Sequence, residues 1–290
     1  MNPSLPPYSY SASTKSSVSD ELINTYAIRP AAGLIVRLLY RTPVTPNGVT
    51  ALSIVAGCCA ALLFTMGTPA LTLAAGLCVT LKDILDAADG QLARAKQQFS
   101  RKGRFFDSIG DFFVDLLVFG AVGWTLVRLT GQALFAPAAL LGFLGTTLRV
   151  SYHVFYQTSY LHLKGAYSVN RITEDVRPED RTEDRLTQEL QRIFLLLYGW
   201  QDRLMFRVDE WSRTGLPHEQ RIDFRWYGDR TGLRLSGLMG LGTELFVLML
   251  FSLVDRLDLY LVANLVVLNL LWGVTVVYRR WVLLKKAGQS

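Results

Sequence analysis

Two groups of aspartates in this sequence are spaced so that each group lies on one face of a helix. Asp86 and Asp89 are three residues apart, and a second group repeats every four residues: Asp107, Asp111 and Asp115. Residues at these intervals are neighbours on a helical surface. Carboxylate oxygens are the preferred ligands of Mg²⁺ and Mn²⁺. If two antiparallel helices bring the groups face to face, they predict a divalent-cation site that can bind a phosphate.

The aspartates lie between apolar segments long enough to cross a bilayer. The chain has 290 residues, is 50% hydrophobic and carries a net charge of +6. A soluble domain seldom needs repeated apolar runs of about 20 residues, the length that spans the hydrocarbon core. A charged side chain near the bilayer centre costs about 2.5–3.5 kcal/mol, so grouped carboxylates there need a compensating cation. The basic residues flank the apolar runs, and we therefore expect a bilayer, not nucleic acid, as partner.

We expect an all-α, polytopic integral membrane protein with six transmembrane helices. The predicted spans are residues 48–67, 71–94, 104–127, 134–156, 236–254 and 259–279. The turns after the first, third and fifth spans carry almost no net positive charge. The basic residues collect on the other side: Arg37, Arg41, Arg94, Lys96, Arg101, Lys102, Arg104, Arg279, Arg280, Lys285 and Lys286. The positive-inside rule then places both termini and the aspartates on the cytoplasmic side, of the inner membrane if the protein is bacterial.

Residues 1–47 form the predicted cytosolic N-terminal segment. Within it, residues 21–40 alternate apolar and basic positions at helical spacing, which is typical of an amphipathic helix lying in the membrane interface. Asn47 follows a proline and precedes the first apolar run, and we predict it as the N-cap of the first span.

A polar insertion, residues 157–235, separates the fourth and fifth spans. Residues 185–211 repeat apolar positions at three- and four-residue steps, which predicts an amphipathic helix. Its apolar core is too short to span a bilayer, so we expect it in the cytosol or at the interface. The other two divisions are residues 48–156, with spans one to four and the aspartates, and residues 236–290, with the last two spans and the C-terminal tail.

The aspartates belong to a longer pattern. The sequence reads Asp86-x-x-Asp89-Gly90-x-x-Ala93-Arg94, eight residues, then Gly103-x-x-x-Asp107-x-x-x-Asp111. This pattern resembles the signature of the CDP-alcohol phosphotransferases, with every specified position and spacing present. The motif covers 26 residues, and the six-span organisation extends the resemblance over most of the chain. The segment "TPNGVT", residues 45–50, also resembles the Pro-Asn-x-x-Thr found before the first span in that family.

The resemblance implies a reaction and a set of roles. An alcohol would attack the β-phosphorus of a CDP-linked donor and release CMP, with two divalent ions, Mg²⁺ or Mn²⁺, at the site. Asp111 would also take the proton of the acceptor hydroxyl, and the enzyme would be a homodimer. The implied metal ligands are Asp86, Asp89, Asp107 and Asp111. The implied nucleotide-binding residues are Gly90, Arg94, Ser100, Gly103, Asn47 and Thr50.

Three functions stay open at this point. In the version that we favour, CDP-diacylglycerol donates a phosphatidyl group to a small polar alcohol. In the second version, a soluble CDP-alcohol such as CDP-choline or CDP-ethanolamine donates to a lipid alcohol. The third is a divalent-metal transporter or channel. The outer halves of the second and third spans hold no ionisable residue, which argues against an ion pathway.

Other polar residues lie at a similar predicted depth. Arg149 and His153 share one face of the fourth span, and Glu244 lies in the fifth. Arg149 is a candidate for acceptor binding, especially of a phosphorylated acceptor, or for an ion pair with Glu244. We expect Asn264 and Asn269 to form hydrogen bonds between helices.

Asp83 and Asp115 extend the two aspartate groups by one helical turn beyond the motif. They are candidates for groups behind the metal ligands or for partners of Lys82 or Arg149. The pattern alone does not choose between these roles.

Overall fold

The computed structural model describes residues 7–13, 21–165, 174–215 and 225–287, and all regular secondary structure in these ranges is helical. Parts of the predicted N-terminal segment and of the predicted insertion lie outside the described residues. The α-helices are α1 (Tyr10–Ser13), α2 (Arg29–Leu39), α3 (Pro46–Met66), α4 (Pro69–Lys96), α5 (Arg101–Thr130), α6 (Phe135–Leu163), α7 (Arg185–Arg213), α8 (Arg230–Gly237), α9 (Leu241–Leu253), α10 (Leu257–Val262), α11 (Asn269–Val277) and α12 (Leu284–Ala287). The π-helical segments are Asn24–Ile28, Ala263–Leu268 and Tyr278–Leu283, and Pro178–Thr182 is a 3₁₀-helix.

Each predicted span falls on a helix of the structure. Among the described residues, three helices are long and apolar enough to cross a membrane: Pro46–Met66, Arg101–Thr130 and Leu257–Val282. A fourth span results if α8 and α9, which meet at a bend of 42°, cross together. The remaining two predicted spans fall on α4 and α6, which carry more charged and polar side chains. The helical, polytopic architecture agrees with the prediction, and the count of six spans stays a prediction.

The first span begins at Pro46, slightly earlier than the predicted residue 48. The N-cap of α3 is Thr45, whose Oγ1 accepts a hydrogen bond from the Gly48 N–H at 3.2 Å. The prediction of Asn47 as the N-cap was therefore wrong. Pro46 is the first helical residue, because its fixed φ suits that position and it has no N–H to satisfy. The cap consequently lies before the proline. At the other end, α3 stops at Gly67, which adopts a left-handed conformation with φ +69°.

A short connection joins α4 to α5 and returns the chain in the opposite direction. Gln97 ends α4 in a left-handed conformation, and the Ser100 hydroxyl caps α5 by accepting from the Gly103 N–H at 3.0 Å. Helix α3 packs along both α4 and α5, while α4 and α5 make few close backbone contacts with each other. The space between α4 and α5 is therefore open to side chains, and both aspartate groups face it.

The N-terminal helix lies beside the same region. In α2, Ala32 and Val36 are buried against Ala88 and Leu92 of α4. The opposite face of α2 exposes apolar side chains, including Leu38. A helix is thus present where the sequence predicted one, and its position at the membrane surface stays a prediction.

The insertion contains the predicted amphipathic helix. It corresponds to α7, which packs against α5 and α6. Helix α6 continues past the predicted end of the fourth span, residue 156, to Leu163. The insertion lies against the other helices, and its predicted start at residue 157 stays a prediction.

Candidate active site

Three carboxylates from α4 and α5 meet at one wall of a cavity. One oxygen from each of Asp86, Asp89 and Asp107 lies within 4.8 Å of the others, which suits a shared metal ion. The cavity has a volume of ≈ 430 Å³ and extends from this cluster towards α6 and α7. The Oδ1 atom of Asp86 is buried and accepts no hydrogen bond from the described residues. An orphaned buried carboxylate oxygen in an all-oxygen cluster is the environment that a hard divalent cation completes.

A threonine from α3 orients one member of this cluster. The Thr50 hydroxyl donates a hydrogen bond to Oδ2 of Asp89, and both residues are buried. Thr50 belongs to the "TPNGVT" segment that was predicted to contact the nucleotide. In the structure its hydroxyl contacts a carboxylate of the cluster instead. A hydrogen bond of this kind fixes the rotamer of a metal ligand and restricts which oxygen faces the ion.

The fourth motif aspartate has a different partner. Among the described residues, Asp111 does not join the three-carboxylate group. It forms an ion pair with Lys82, whose Nζ lies 2.5 Å from Asp111 Oδ1. Asp83 and Asp115, which the sequence left without a role, are buried and line the cavity around this pair.

The predicted nucleotide-binding residues separate into two places. Gly90 and Arg94 line the cavity, and a Cβ on Gly90 would lie 3.5 Å from the Arg94 guanidinium. Arg94 also donates from Nε to the Ser13 carbonyl at 2.6 Å, which ties α4 to the N-terminal segment. The other three lie together at the start of α5, outside the cavity lining formed by the described residues: Asn47, Ser100 and Gly103.

Arg149 lies behind the cavity wall, in a buried polar network. Its guanidinium donates to Glu244 Oε2 at 2.8 Å and to Asn269 Oδ1 at 2.6 Å. Asn264 donates to the other oxygen of Glu244 at 2.5 Å. The ion pair with Glu244 and the interhelical hydrogen bonds of both asparagines agree with the sequence prediction. His153, one turn further along α6, does line the cavity.

Helix α7 supplies cavity residues that sequence reasoning missed. Phe194, Tyr198 and Asp202 repeat every four residues and line the cavity opposite the carboxylate cluster. The Tyr198 hydroxyl donates to the Ser108 carbonyl of α5 at 2.8 Å. Burial raises the pKa of Asp202 to about 6, and the positive charge of Arg104 opposes that shift. The four-residue spacing was visible in the sequence, but it did not show which helix this face would meet.

Ion pairs attach the insertion to the start of α5. Glu174 accepts from Arg104 at 2.6 Å and from Arg101 at 3.2 Å. Arg101 also binds Asp180 at 2.7 Å, and Gln191 of α7 donates to the same carboxylate at 2.9 Å. Both acids are buried. This network begins within one or two turns of Asp107, so it places α7 directly over the site.

Comparison with known proteins identifies the region that carries the carboxylates. Residues 43–172 match the family model for CDP-alcohol phosphatidyltransferase. Two similar curated proteins are each named bifunctional IPC transferase and DIPP synthase. The one from Archaeoglobus fulgidus is 37% identical over 93 residues, which cover 32% of this chain and 18% of that protein. The one from Thermococcus kodakarensis is 34% identical over 109 residues, which cover 38% of this chain and 23% of that protein.

These matches extend over about a fifth of the length of the two relatives. The region matched by the family model contains α3 to α6, the whole aspartate motif and the "TPNGVT" segment. The predicted resemblance is thus confirmed for the part of the chain that forms the carboxylate wall of the cavity. Residues 43–172 of this chain match the CDP-alcohol phosphatidyltransferase family, the family that the aspartate motif resembles.

Proposed function

We propose that this protein transfers a phosphatidyl group from CDP-diacylglycerol to the hydroxyl of a small polar alcohol and releases CMP. The observation that carries the proposal is that Asp86, Asp89 and Asp107, all within the matched region, meet at a cavity. A cavity at the inner ends of α4 and α5 would receive a polar headgroup from water and a lipid donor from the bilayer. The active site and both termini would face the cytoplasm.

The three clustered carboxylates fit a divalent cation, Mg²⁺ or Mn²⁺. Their ligand atoms are all oxygens, they come from two helices, and Asp86 Oδ1 accepts no hydrogen bond from the described residues. Such an ion would offset the negative charge that develops on the phosphate as the displacement proceeds. The resemblance implied a second ion as well, which would require Asp111 as a ligand.

The protein's own side chains would transfer the proton and hold the donor. The acceptor oxygen forms a bond to the β-phosphorus while the phosphoanhydride bond to CMP breaks. Asp111 takes the proton that the acceptor hydroxyl loses. Gly90, which has no side chain, allows the donor to approach α4 closely, and the guanidinium of Arg94 provides charged donors for a phosphate.

The lipid donor is supported by the number and length of the helices. Six predicted spans in a chain of 290 residues match the first version of the reaction better than the second, whose enzymes often have more spans. The homodimer implied by the resemblance is part of the same proposal.

The test is CMP release by the purified protein in Mg²⁺ or Mn²⁺. CDP-diacylglycerol is paired with glycerol phosphate, inositol, inositol phosphate or serine. CDP-choline and CDP-ethanolamine are each paired with diacylglycerol. We expect CMP only with CDP-diacylglycerol and one of the small alcohols. CMP from a soluble CDP-alcohol would reverse the donor and acceptor assignment, and no CMP from any pair would overturn the enzyme proposal.

The role of Asp111 as the general base is tested with the variant Asp111→Asn. Loss of a general base slows a reaction by about 10²–10⁴-fold, and we expect a loss of CMP release in that range. Metal-dependent binding of CDP-diacylglycerol should survive in part, because the three-carboxylate cluster is intact. Asp258→Asn is the matched control, since Asp258 is paired with Arg256 at 2.8 Å on the surface. Full activity of Asp111→Asn would remove Asp111 as the base.

A further inference from the structure

Lys82 places a cation inside the acidic site. Its side chain is only 2% exposed, and its ammonium group lies 2.5 Å from Asp111. The carboxylates of Asp86 and Asp115 line the same cavity as Asp111. A buried ammonium group needs a carboxylate partner, because it has no access to water. The Asp111 carboxylate therefore stabilises the buried charge of Lys82, and the Lys82 ammonium stabilises the charge of Asp111.

The position of Lys82 is built by helix α3. A Cβ on Gly57 would lie 3.3 Å from Lys82 Cγ and would collide with Val114 of α5. The missing side chain at Gly57 thus leaves the channel that the lysine stem occupies between α3, α4 and α5. Ser53, one turn earlier in α3, donates a hydrogen bond to the Lys82 carbonyl at 3.1 Å. The lysine is fixed along its length, so its ammonium has little freedom to leave Asp111.

A second divalent ion would compete with this ammonium. Among the described residues, the carboxylates gathered closely enough to share an ion are Asp86, Asp89 and Asp107. Another ion at the motif would need Asp111, whose Oδ1 is already paired with Lys82. A dication on that carboxylate would lie a few ångströms from a buried ammonium, and like charges repel strongly where water is excluded.

We propose that Lys82 takes the place of a second divalent ion, so that the site holds one ion on Asp86, Asp89 and Asp107 with a permanent lysine cation beside Asp111. This inference rests on the proposed function for the metal and departs from the two ions implied by the resemblance. Lys82 is then a positioning residue. It orients the Asp111 carboxylate towards the acceptor hydroxyl and supplies positive charge that does not depend on the metal concentration.

The test measures Mn²⁺ alone, without substrate. Purified full-length protein is titrated with Mn²⁺ by calorimetry, and the saturated protein is examined by electron paramagnetic resonance. We expect one Mn²⁺ per chain with the spectrum of an isolated ion. Two bound ions per chain with the spectrum of an exchange-coupled pair would overturn the proposal.

We expect the variant Lys82→Met to bind a second Mn²⁺ ion. Lys82→Met removes the ammonium while keeping an unbranched stem in the Gly57 channel, and leaves Asp111 open to a cation. We expect it to bind two Mn²⁺ per chain and to show the coupled spectrum. Lys82→Arg, which keeps the charge, should bind one. The matched control is Lys102→Met, which removes the exposed ion pair with Asp184 and should also bind one.

The outcomes separate this inference from the proposed function. One ion in both the wild-type protein and a folded Lys82→Met variant would overturn the role of Lys82, whatever the activity. If Lys82→Met does not fold, the wild-type stoichiometry and spectrum still decide. CMP release together with two ions in the wild-type protein would keep the enzyme proposal and reject the single-ion site. A single bound ion with no CMP from any substrate pair would leave the metal site standing and reject the reaction.

Discussion

Among single residues, Thr50 is a side chain outside the aspartate motif that orients one of the motif's carboxylates. Its hydroxyl donates to Asp89, a member of the three-carboxylate cluster, from a neighbouring helix. A carboxylate held in this way presents a defined oxygen to the ion, and loss of such a partner typically lowers metal affinity about 10–100-fold. The threonine of the "TPNGVT" segment thus has a physical role in the structure that does not require contact with the nucleotide.

Replacing Thr50 by valine removes the hydroxyl and keeps the shape of the side chain. We expect the Mn²⁺ concentration for half-maximal CMP release to rise about 10–100-fold, with a smaller effect on the rate at saturating metal. Thr65→Val is the matched control, because within the described ranges the Thr65 hydroxyl bonds to a carbonyl of its own helix α3, at 2.6 Å, and to no other group. An unchanged metal requirement together with a raised donor KM would assign Thr50 to the nucleotide instead.

The sequence predicted the carboxylates of the site but not their partners. Helical spacing and the motif grouped four aspartates: Asp86, Asp89, Asp107 and Asp111. The structure brings the first three together. The pairing of Lys82 with Asp111 depends on the space left by Gly57 in another helix. That information lies in the packing of three helices and not in any local pattern.

Among the helices, the buried network around Arg149 joins three elements of the bundle. Arg149 lies on α6, Glu244 on α9, and Asn264 and Asn269 at the π-helical segment between α10 and α11. Tyr260 of α10 also donates to Glu244, at 2.8 Å. A buried ion pair held by several hydrogen bonds specifies how helices fit together, whereas removal of one partner leaves an uncompensated charge.

Arg149→Met should therefore destabilise the fold. Breaking a buried pair costs about 3–5 kcal/mol, and equilibrium unfolding in mixed micelles should show a loss of that size. The double variant with Glu244→Leu should recover much of the loss, because no charge is left unpaired. The control, Arg256→Met, breaks a surface pair and should cost about 1 kcal/mol or less. Normal stability of Arg149→Met with a raised acceptor KM would favour the acceptor-binding role predicted from the sequence.

Among the helices, the positions along the chain were easier to predict from the sequence than the contacts between one helix and another. The ends of α3 and the start of α5 are set by Thr45, Gly67 and Ser100, because caps act within one turn of the chain. The predicted spans fell on these helices, but the first cap was assigned to Asn47 instead of Thr45. The location of α7 could not be predicted, since it depends on Glu174 and Asp180 meeting Arg101 and Arg104 from a distant segment. The bend between α8 and α9 had no clear signal either.

At the scale of the whole molecule, the helices that carry the most polar side chains are those that contact several other helices. Helices α4 and α6 do not reach the hydropathy of a lipid-exposed span because they carry the carboxylates and the Arg149 network. Both contact several other helices, which shields these groups from lipid. The six-span topology is thus compatible with a composition that identifies only three or four helices as apolar enough to cross.

This topology predicts opposite labelling of two sets of positions. In a background with the three native cysteines replaced by alanine, single cysteines are introduced at Thr68 and Gln132, and at Gln98 and Glu189. A membrane-impermeant maleimide should label the first pair only from the outer side and the second pair only from the cytoplasmic side. The experiment uses sealed vesicles of both orientations. Labelling of Thr68 and Gln98 from the same side would rule out α4 as a span.

The matched domain ends at residue 172, yet α7, which begins at Arg185, forms one wall of the cavity. Under the proposed reaction, the carboxylates and the α7 wall of the cavity would come from different stretches of the polypeptide. Mutation of α7 would then change the shape of the cavity while the carboxylates stay in place. Such a division would let natural selection, or a protein engineer exchanging this helix between related chains, alter the acceptor without rebuilding the carboxylate cluster.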